Sequence, residues 1–396
     1  MDNGPGLALA YTRPPMTERL ANGRAAAYPS CVTIDLGALA SNIRWIKARV
    51  GGHVALMAVL KADAYGHGAA EVARAALQNG ADLLAVANMA EALELREAHI
   101  DAPILLLSYV PAEAIPTAIA HGLSVTVFDE ACAARCISAT ANAGLMLKVH
   151  VKVDTGMGRL GVLPPVTNAL CRQLQDTSGI DLEGVYTHFA TADDDPAYMR
   201  EQLKTFNRVQ SQLRRAGVGV KYIHAANSAA LLNGDDSYFN VIRPGLLLYG
   251  LEPMPNSAFA QQIRPVMSWR TQIAQVKTLP PDSPVGYGRA YRTRGRETIA
   301  VAPVGYADGL RRTPYSWREV LIQGQRAPLA GRVSMEKITI NVSHIRDVAV
   351  GDEVVLMGRQ GDDSISADEI ATWIHSNSYE VVTSIAPRVP RTYINR

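Results

Sequence analysis

The sequence is short of the features that would tie a chain to a special environment. It has 4 cysteines in 396 residues, at positions 31, 132, 136 and 171. None forms a CxxC pair or stands at ligand spacing from a histidine, which argues against a disulfide scaffold and a structural zinc site. Cys132 and Cys136 sit one helical turn apart, the spacing of helix packing. All four read as reduced thiols of a cytosolic protein. Charge of one sign is equally scarce as a block: 39 Lys+Arg face 37 Asp+Glu, a net charge of +2. That balance offers no electrostatic reason to bind nucleic acid or a membrane surface. No apolar run approaches the roughly 20 residues of a membrane span. The opening MDNGPGLALAYTRPPMTERLANGRAAAYPS lacks the apolar core of a secretory signal and is rich in Pro, Gly and charge. Residues 1–29 therefore read as a weakly ordered extension.

What is present is an ordinary globular composition, 48% hydrophobic and 19% charged, over a length that suits two domains. From about residue 54 to 250 short apolar runs alternate with longer amphipathic stretches. The runs are VALMAVLK, LLAVAN, ILLLS, LSVTV, LMLKVHVKVD, LEGVYTHF, KYIHAAN and FNVIRPG; AAEVARAALQNG and MREQLKTFNRVQSQLRRAG are typical of the intervening helices. Strand then helix, repeated, implies parallel pairing through right-handed crossovers. Eight such units fit a closed (β/α)8 barrel better than an open doubly wound sheet. After about residue 262 the texture becomes short alternating strands separated by Gly and Pro, the pattern of an antiparallel sheet or small barrel. Within it Ser366 and Glu369 form a capping-box signal for the helix SADEIATWI, and SYEVVTSIAPRVPRTY reads as a returning strand. The domains are thus read as 30–261 for the barrel and 262–396 for a β-rich C-terminal domain. The early CVTIDLGAL also alternates, as a strand lent to the second domain would.

In a barrel of this kind chemistry collects at the C-terminal ends of the strands. Polar residues recur there: Lys61 ends the first run, Lys152 and Asp154 the fifth, His188 the sixth, Asn227 the seventh and Arg243 the eighth. Charge at the end of a buried element is costly unless it is used. KVDTGMGRLG sets Arg159 on a glycine-rich loop, where its guanidinium fork suits a carboxylate or phenolate. HAANSAA offers Ser228 as a helix N-cap, and RPG follows with Gly245, two late-strand features that resemble a barrel phosphate site. Each feature alone is commonplace; their convergence on strand ends favours one shared site. In the second domain Tyr287 and Tyr306 are flanked by glycine, as exposed phenols would be.

Taken in order, VLKADAYGHGA, VKVDTGMGRLG, YTHFATAD, HAANSAA, RPGLLLYG, VGYGRAY, PVGYADG, GRVSME and PRVPRTY resemble the signature segments of pyridoxal-phosphate-dependent alanine racemases, over nearly the whole chain after Ser30. The resemblance implies a homodimer with shared active sites and pyridoxal 5'-phosphate as cofactor. Lys61 would bond the cofactor and act as base on one face of the substrate α-carbon; Tyr287, from the partner subunit, would be the base on the other. Tyr65, Ser228, Gly245 and Leu246 would hold the phosphate, Arg243 would meet the pyridine nitrogen, and His188 would lie behind the ring near Asn227. Arg159 would support the cofactor's phenolic oxygen and the substrate carboxylate, the Met335 N–H would take that carboxylate, and Tyr306 would narrow the entrance. Lys152 matches a lysine carbamylated in many members.

The implied activity is interconversion of L- and D-alanine in the cytoplasm, supplying D-alanine for peptidoglycan, with no metal, nucleic acid or membrane partner. Two positions depart from the family pattern: Glu336 stands where most members have aspartate, and Pro387 where many have tyrosine. Both lie at the pocket or its entrance and bear on substrate preference. A racemase of serine or of broader range, and a same-fold pyridoxal-phosphate decarboxylase, are the alternatives. The decarboxylase has no use for Tyr287 as a second base. A cofactor-binding protein without activity would have little use for the second domain.

Overall fold

The structure is a computed structural model and describes residues 28–140, 146–254, 259, 261–313 and 316–396. Most of the 1–29 extension lies outside the described residues; of it, Tyr28 donates a hydrogen bond to Asp308 and the Pro29 carbonyl accepts one from Thr271. Strand β1 (Cys31–Asp35) comes first, and the helix Leu36–Val50 follows, capped by the Asp35 carboxylate on the Ala38 N–H. Eight strands then alternate with helices: β2 (Ala55–Val59), β3 (Leu83–Val86), β4 (Ile104–Leu106), β5 (Ser124–Val127), β6 (Leu147–Lys152), β7 (Ile180–Tyr186), β8 (Tyr222–His224) and β9 (Val241–Ile242). All pairings are parallel, and β9 returns to β2, so the sheet closes. Each strand coincides with one of the eight apolar runs.

Alternation along these strands sorts their side chains to two sides. Leu56, Leu84, Val125, Val149 and Val151 join the main core under the helices. Met57, Val59, Leu83, Ala85, Leu105 and Val241 form a separate inward cluster from one side of the barrel. The rest of the interior is polar: Thr126, His150, Lys152, His224 and Arg243 are all buried. A buried charge is tolerated only with partners or a purpose. Half the barrel is therefore packed for stability and half is built for something else.

The second domain holds β10 (Met267–Gln272), β11 (Gln275–Leu279), β12 (Pro284–Val285), β13 (Tyr291–Arg292), β14 (Glu297–Ala302), β15 (Glu319–Ile322), β16 (Gln325–Pro328), β17 (Ile338–Asn341), β18 (Glu353–Gln360), β19 (Asp363–Ile365) and β20 (Arg391–Ile394). The larger sheet runs β16-β15-β18-β10-β1-β20 with β19 on β18. Strand β1 lies antiparallel to β10 and parallel to β20, so the start and end of the described chain lie side by side. Two points differ from the sequence reading. Ser378–Thr383 is a helix, because the Asn377 side chain caps the Glu380 N–H; only Arg391–Ile394 of that stretch is strand. Ser366 does cap its helix at Glu369, but Glu369 ion-pairs with Arg326 in a cluster with Glu319 and Asp363.

Asn42 pins the first helix to the junction of the domains. Buried, it donates to the Leu248 carbonyl at 3.1 Å and the Arg264 carbonyl at 2.8 Å, and accepts from the Arg264 N–H at 2.8 Å. Asn42→Ala strands these groups and should lower stability by about 3 kcal/mol. Urea denaturation checks this; a loss indistinguishable from that of a surface alanine would contradict it.

Candidate active site

Lys61 directly follows β2 and Leu60, and the chain after it is unusual. Ala62, Asp63, Ala64 and Tyr65 all have φ between 52° and 56°. Left-handed backbone costs an L-residue roughly 1–2 kcal/mol, so four in succession persist only where the surroundings over-determine them. Here they do. The Ala62 N–H donates to Glu91 at 2.8 Å, the Asp63 carboxylate accepts from the Ala69 N–H at 2.7 Å, and the His67 ring meets the Ala64 and Tyr65 carbonyls at 3.0 and 2.9 Å. The second domain closes on the same turn. A Cβ on Gly66 would lie 2.7 Å from the Val382 carbonyl, and one on Gly68 would overlap the Tyr393 hydroxyl. The turn lays the Tyr65 ring 4.9 Å from Tyr249, with the Lys61 amine 5.8 Å from the Tyr65 ring.

Around this mouth the structure gathers cations. Burial and the Arg159 charge depress the Lys61 amine below the ordinary lysine value. Lys152, only 5% exposed, is brought down to about 8 by burial and by Arg159, Arg243 and Lys61. His188 is driven well below the usual imidazole range by burial and the same four charges. Four cationic side chains that sense one another in this way make a site for an anion.

Arg159 is exposed on its loop, and the loop is organised by Asp154, whose carboxylate accepts N–H groups of Gly156, Met157 and Gly158 at 2.9, 2.9 and 3.0–3.1 Å. Asp154 thus serves the loop backbone. Arg243 is buried and donates to the Thr187 and Ala225 carbonyls at 2.8 and 3.1 Å and to His224 Nδ1 at 2.8 Å, with His188 Nδ1 at 3.4 Å. Burial lowers its pKa to about 10.

Opposite lies a small cradle. The N-cap is Asn227, whose side chain accepts from the Ala230 N–H; Ser228, read from sequence as the cap, instead accepts the N–H groups of Gly245 and Leu247 at 3.0 and 3.3 Å. Gly245 faces the Tyr65 hydroxyl so closely that a Cβ there would come within 2.6 Å. Leu246 opens a 3-10 turn immediately after. Lys61, Tyr65, Lys152, Arg159, His188, Asn227, Ser228, Arg243, Gly245 and Leu246 are therefore all carried by the strand ends and loops of one barrel face.

The second-domain residues form another group. Tyr287 stands on the turn joining β12 and β13 and is 64% exposed. The Arg312 guanidinium lies 5.7 Å from its ring and 5.8 Å from that of Tyr306. The Tyr306 and Ala307 N–H groups donate to the Ser334 and Met335 carbonyls, and Met335 is exposed. Glu336 pairs with Arg388, which also holds Asp308. Among the described residues, no hydrogen bond, ion pair or ring contact joins Tyr287, Tyr306 or Met335 to the barrel mouth of the same chain.

Sequence reasoning missed Tyr186 and His224. Tyr186 lies under the mouth, its ring stacked 4.6 Å from that of His224, with Lys152 at 5.8 Å and Arg243 at 5.1 Å. The signal was available, since both are polar side chains at inward positions of otherwise apolar strands.

This architecture has known relatives. The family model described as alanine racemase, N-terminal domain, matches residues 34–253, and that of the alanine racemase C-terminal domain matches 266–393. The chain is 41% identical over 366 residues to an alanine racemase of Symbiobacterium thermophilum, covering 92% of this chain and 97% of that one. It is 40% identical over 370 residues to alanine racemase 2 of Caldanaerobacter subterraneus, covering 93% and 95%. Among solved structures, alanine racemase from Bacillus anthracis with bound L-Ala-P aligns with TM-score 0.87 at 38% identity, covering 93% of this chain and 95% of that one. With both domains matched in order and the fold superposing along nearly its full length, the chain is an amino acid racemase that belongs to the alanine racemase family.

Proposed function

We propose that this chain interconverts L- and D-alanine with pyridoxal 5'-phosphate, in a homodimer whose active sites each combine the barrel mouth of one subunit with Tyr287 of the partner subunit. One observation carries the reading: Lys61, Lys152, Arg159 and Arg243 converge on a mouth that also holds a neutral hydroxyl and N–H cradle. The residues fit the cofactor. The Gly245 backbone approaches Tyr65 at a place that a side chain would fill, and a phosphate suits donors of this kind.

Tyr65, Ser228, Gly245 and Leu246 would hold the phosphate, Asn227 would fix the backbone beside it, and His188 would lie behind the ring. Arg243 uses both terminal nitrogens on protein acceptors, which leaves Nε as the donor that would meet the pyridine nitrogen. A guanidinium stays protonated, so it would donate a hydrogen bond there without giving up its proton. When bound, the cofactor supplies the electron-accepting ring that makes an amino acid α-proton acidic. Lys61 and Tyr287 of the partner subunit then hold and exchange that proton from opposite faces, which is what inversion requires. Arg159 and the N–H of Met335 of the partner subunit would orient the substrate carboxylate, and Tyr306 of the partner subunit would narrow the approach. The family's role in supplying D-alanine for peptidoglycan, in the cytoplasm, completes this reading.

Tyr287 is exposed and, among the described residues, unattached to its own barrel mouth, which supports a site shared between subunits. Subunit mixing tests this. Lys61→Ala and Tyr287→Phe should each lower alanine racemisation by roughly 10²–10⁴-fold. Random hybrids of the two should recover about a quarter of wild-type activity, because half the dimers regain one intact site. No recovery in demonstrated hybrids would place both bases in one chain. A panel of L-amino acids with D-enantiomer readout, run on the wild type, tests the choice of alanine; faster formation of D-serine would transfer the reading to that substrate.

The depressed Lys152 amine makes a second test. A lysine near pKa 8 is largely neutral above that pH, and a neutral amine can attack CO₂ and release a proton to leave an anionic carbamate. That anion would offset Arg159 and Arg243. Labelled CO₂ should give a carbamate carbon resonance that strengthens as pH rises through about 8 and vanishes in Lys152→Ala. A wild-type spectrum without it would remove this role.

A further inference from the structure

Beneath Arg243 a chain of side chains runs down the polar half of the barrel. Arg243 Nη1 lies 2.8 Å from His224 Nδ1; His224 Nε2 lies 2.9 Å from His150 Nδ1; His150 Nε2 faces Glu183 Oε2 at 3.7 Å. Glu183 accepts a hydrogen bond from the Ser124 hydroxyl at 2.6 Å and faces the Lys148 amine at 3.3 Å. The rings are held as well: His224 stacks on Tyr186, and His150 on Tyr222 at 5.7 Å with an 18° tilt. Arg243, His224, His150, Ser124 and Glu183 are all buried.

The backbone is adapted to this chain. Pairing of β6 with β7 shifts register between Val149 and His150, where Val149 opposes Leu182 and His150 opposes Gly184. Glu183 is the extra residue of that bulge, and bulges re-aim side chains. Gly184 makes the room, since a Cβ there would lie 2.5 Å from His150 Nδ1.

The order of donors along the chain has only one solution. A guanidinium can only donate, so His224 Nδ1 must accept and its proton is on Nε2. That N–H points at His150 Nδ1, which must also accept, so the His150 proton is on Nε2 and points at a carboxylate that can only accept. Both rings are neutral, in keeping with imidazoles lowered by burial, most strongly at His224. At Glu183 burial acts upward, but His150, Ser124 and Lys148 outweigh it and bring the carboxyl to about 2.

We propose that His150 and Glu183 are positioning residues for Arg243: the guanidinium above and the carboxylate below together lock the tautomers of the two histidines between them, and this series, with the Thr187 and Ala225 carbonyls, holds the guanidinium in the orientation that would present Nε to the mouth. The proposal rests on the role given to Arg243 above. Glu183→Gln keeps the shape but replaces an acceptor with a group that can donate to His150 Nε2. The tautomers can then reverse, which would turn an N–H of His224 against Arg243.

The test is ¹⁵N NMR of the histidine side chains in the full-length protein, with kinetics of the holoenzyme. Wild type should show both rings with the proton on Nε2 from about pH 6 to 9. Glu183→Gln should shift one or both rings toward Nδ1–H, and kcat should fall roughly tenfold, the scale on which outer support tunes a directly acting group, with KM little changed. Glu183→Asp should restore most of both signals. Gly184→Ala, which displaces the His150 ring and leaves the carboxylate, should change the same resonances and decides the matter if Glu183→Gln does not fold. Wild-type tautomers together with wild-type kcat in either folded variant would overturn the relay. A wild-type protein without racemase activity would instead sink the function proposed above, and leave the tautomer result standing.

Discussion

Mutual repulsion among cations at one barrel mouth is the constraint on which this structure turns. Lys61, Lys152, Arg159 and Arg243 each lower the titration of a neighbour, and His188 feels all of them. In a buried or half-buried setting such charges cost several kcal/mol unless an anion or a hydrogen-bond network offsets them. Arg243 has the network, through Thr187, Ala225 and His224. Among the described residues Lys61 and Arg159 have no such network, and both stand exposed at the opening. The arrangement stores a preference for a ligand that carries negative charge at more than one point.

Positioning Lys61 requires both domains. The four left-handed residues after it are unfavourable alone; Glu91 holds their start, and Val382 and Tyr393 close on the glycines that follow them, Gly66 and Gly68. Strand β1 crosses into the C-terminal sheet before the barrel begins, so that sheet is assembled from both ends of the described chain. The second domain thus has two duties: it braces the lysine turn of its own barrel, and it carries Tyr287, Tyr306 and Met335 on a separate exposed face.

Much of the fold was legible. Apolar runs of strand length between amphipathic helices identified all eight barrel strands, because a parallel strand buried on both faces leaves little room for polar residues. The misreading of Ser378–Thr383 has a local cause: Tyr379, Val381 and Val382 favour strand, and the Asn377 cap with packing against the lysine turn overrides them. Ser228 and Asn227 exchanged roles for a similar reason, since both can cap and only the spatial nearness of Gly245 decides which does.

The sequence by itself determined the element order, the parallel barrel and the placing of titratable side chains at strand ends, since periodicity and strand termination are local properties. It also contained inward polar residues, in SVTV, LKVHVK and YIH, that alternation marks out. Tertiary structure alone decided which of them meet. The His224–His150–Glu183 chain depends on a one-residue bulge and on a glycine opposite a ring, and the depressed Lys152 amine depends on charges brought in from other strands. Such contacts join residues far apart along the chain through closure of the barrel, and no local pattern encodes their distances.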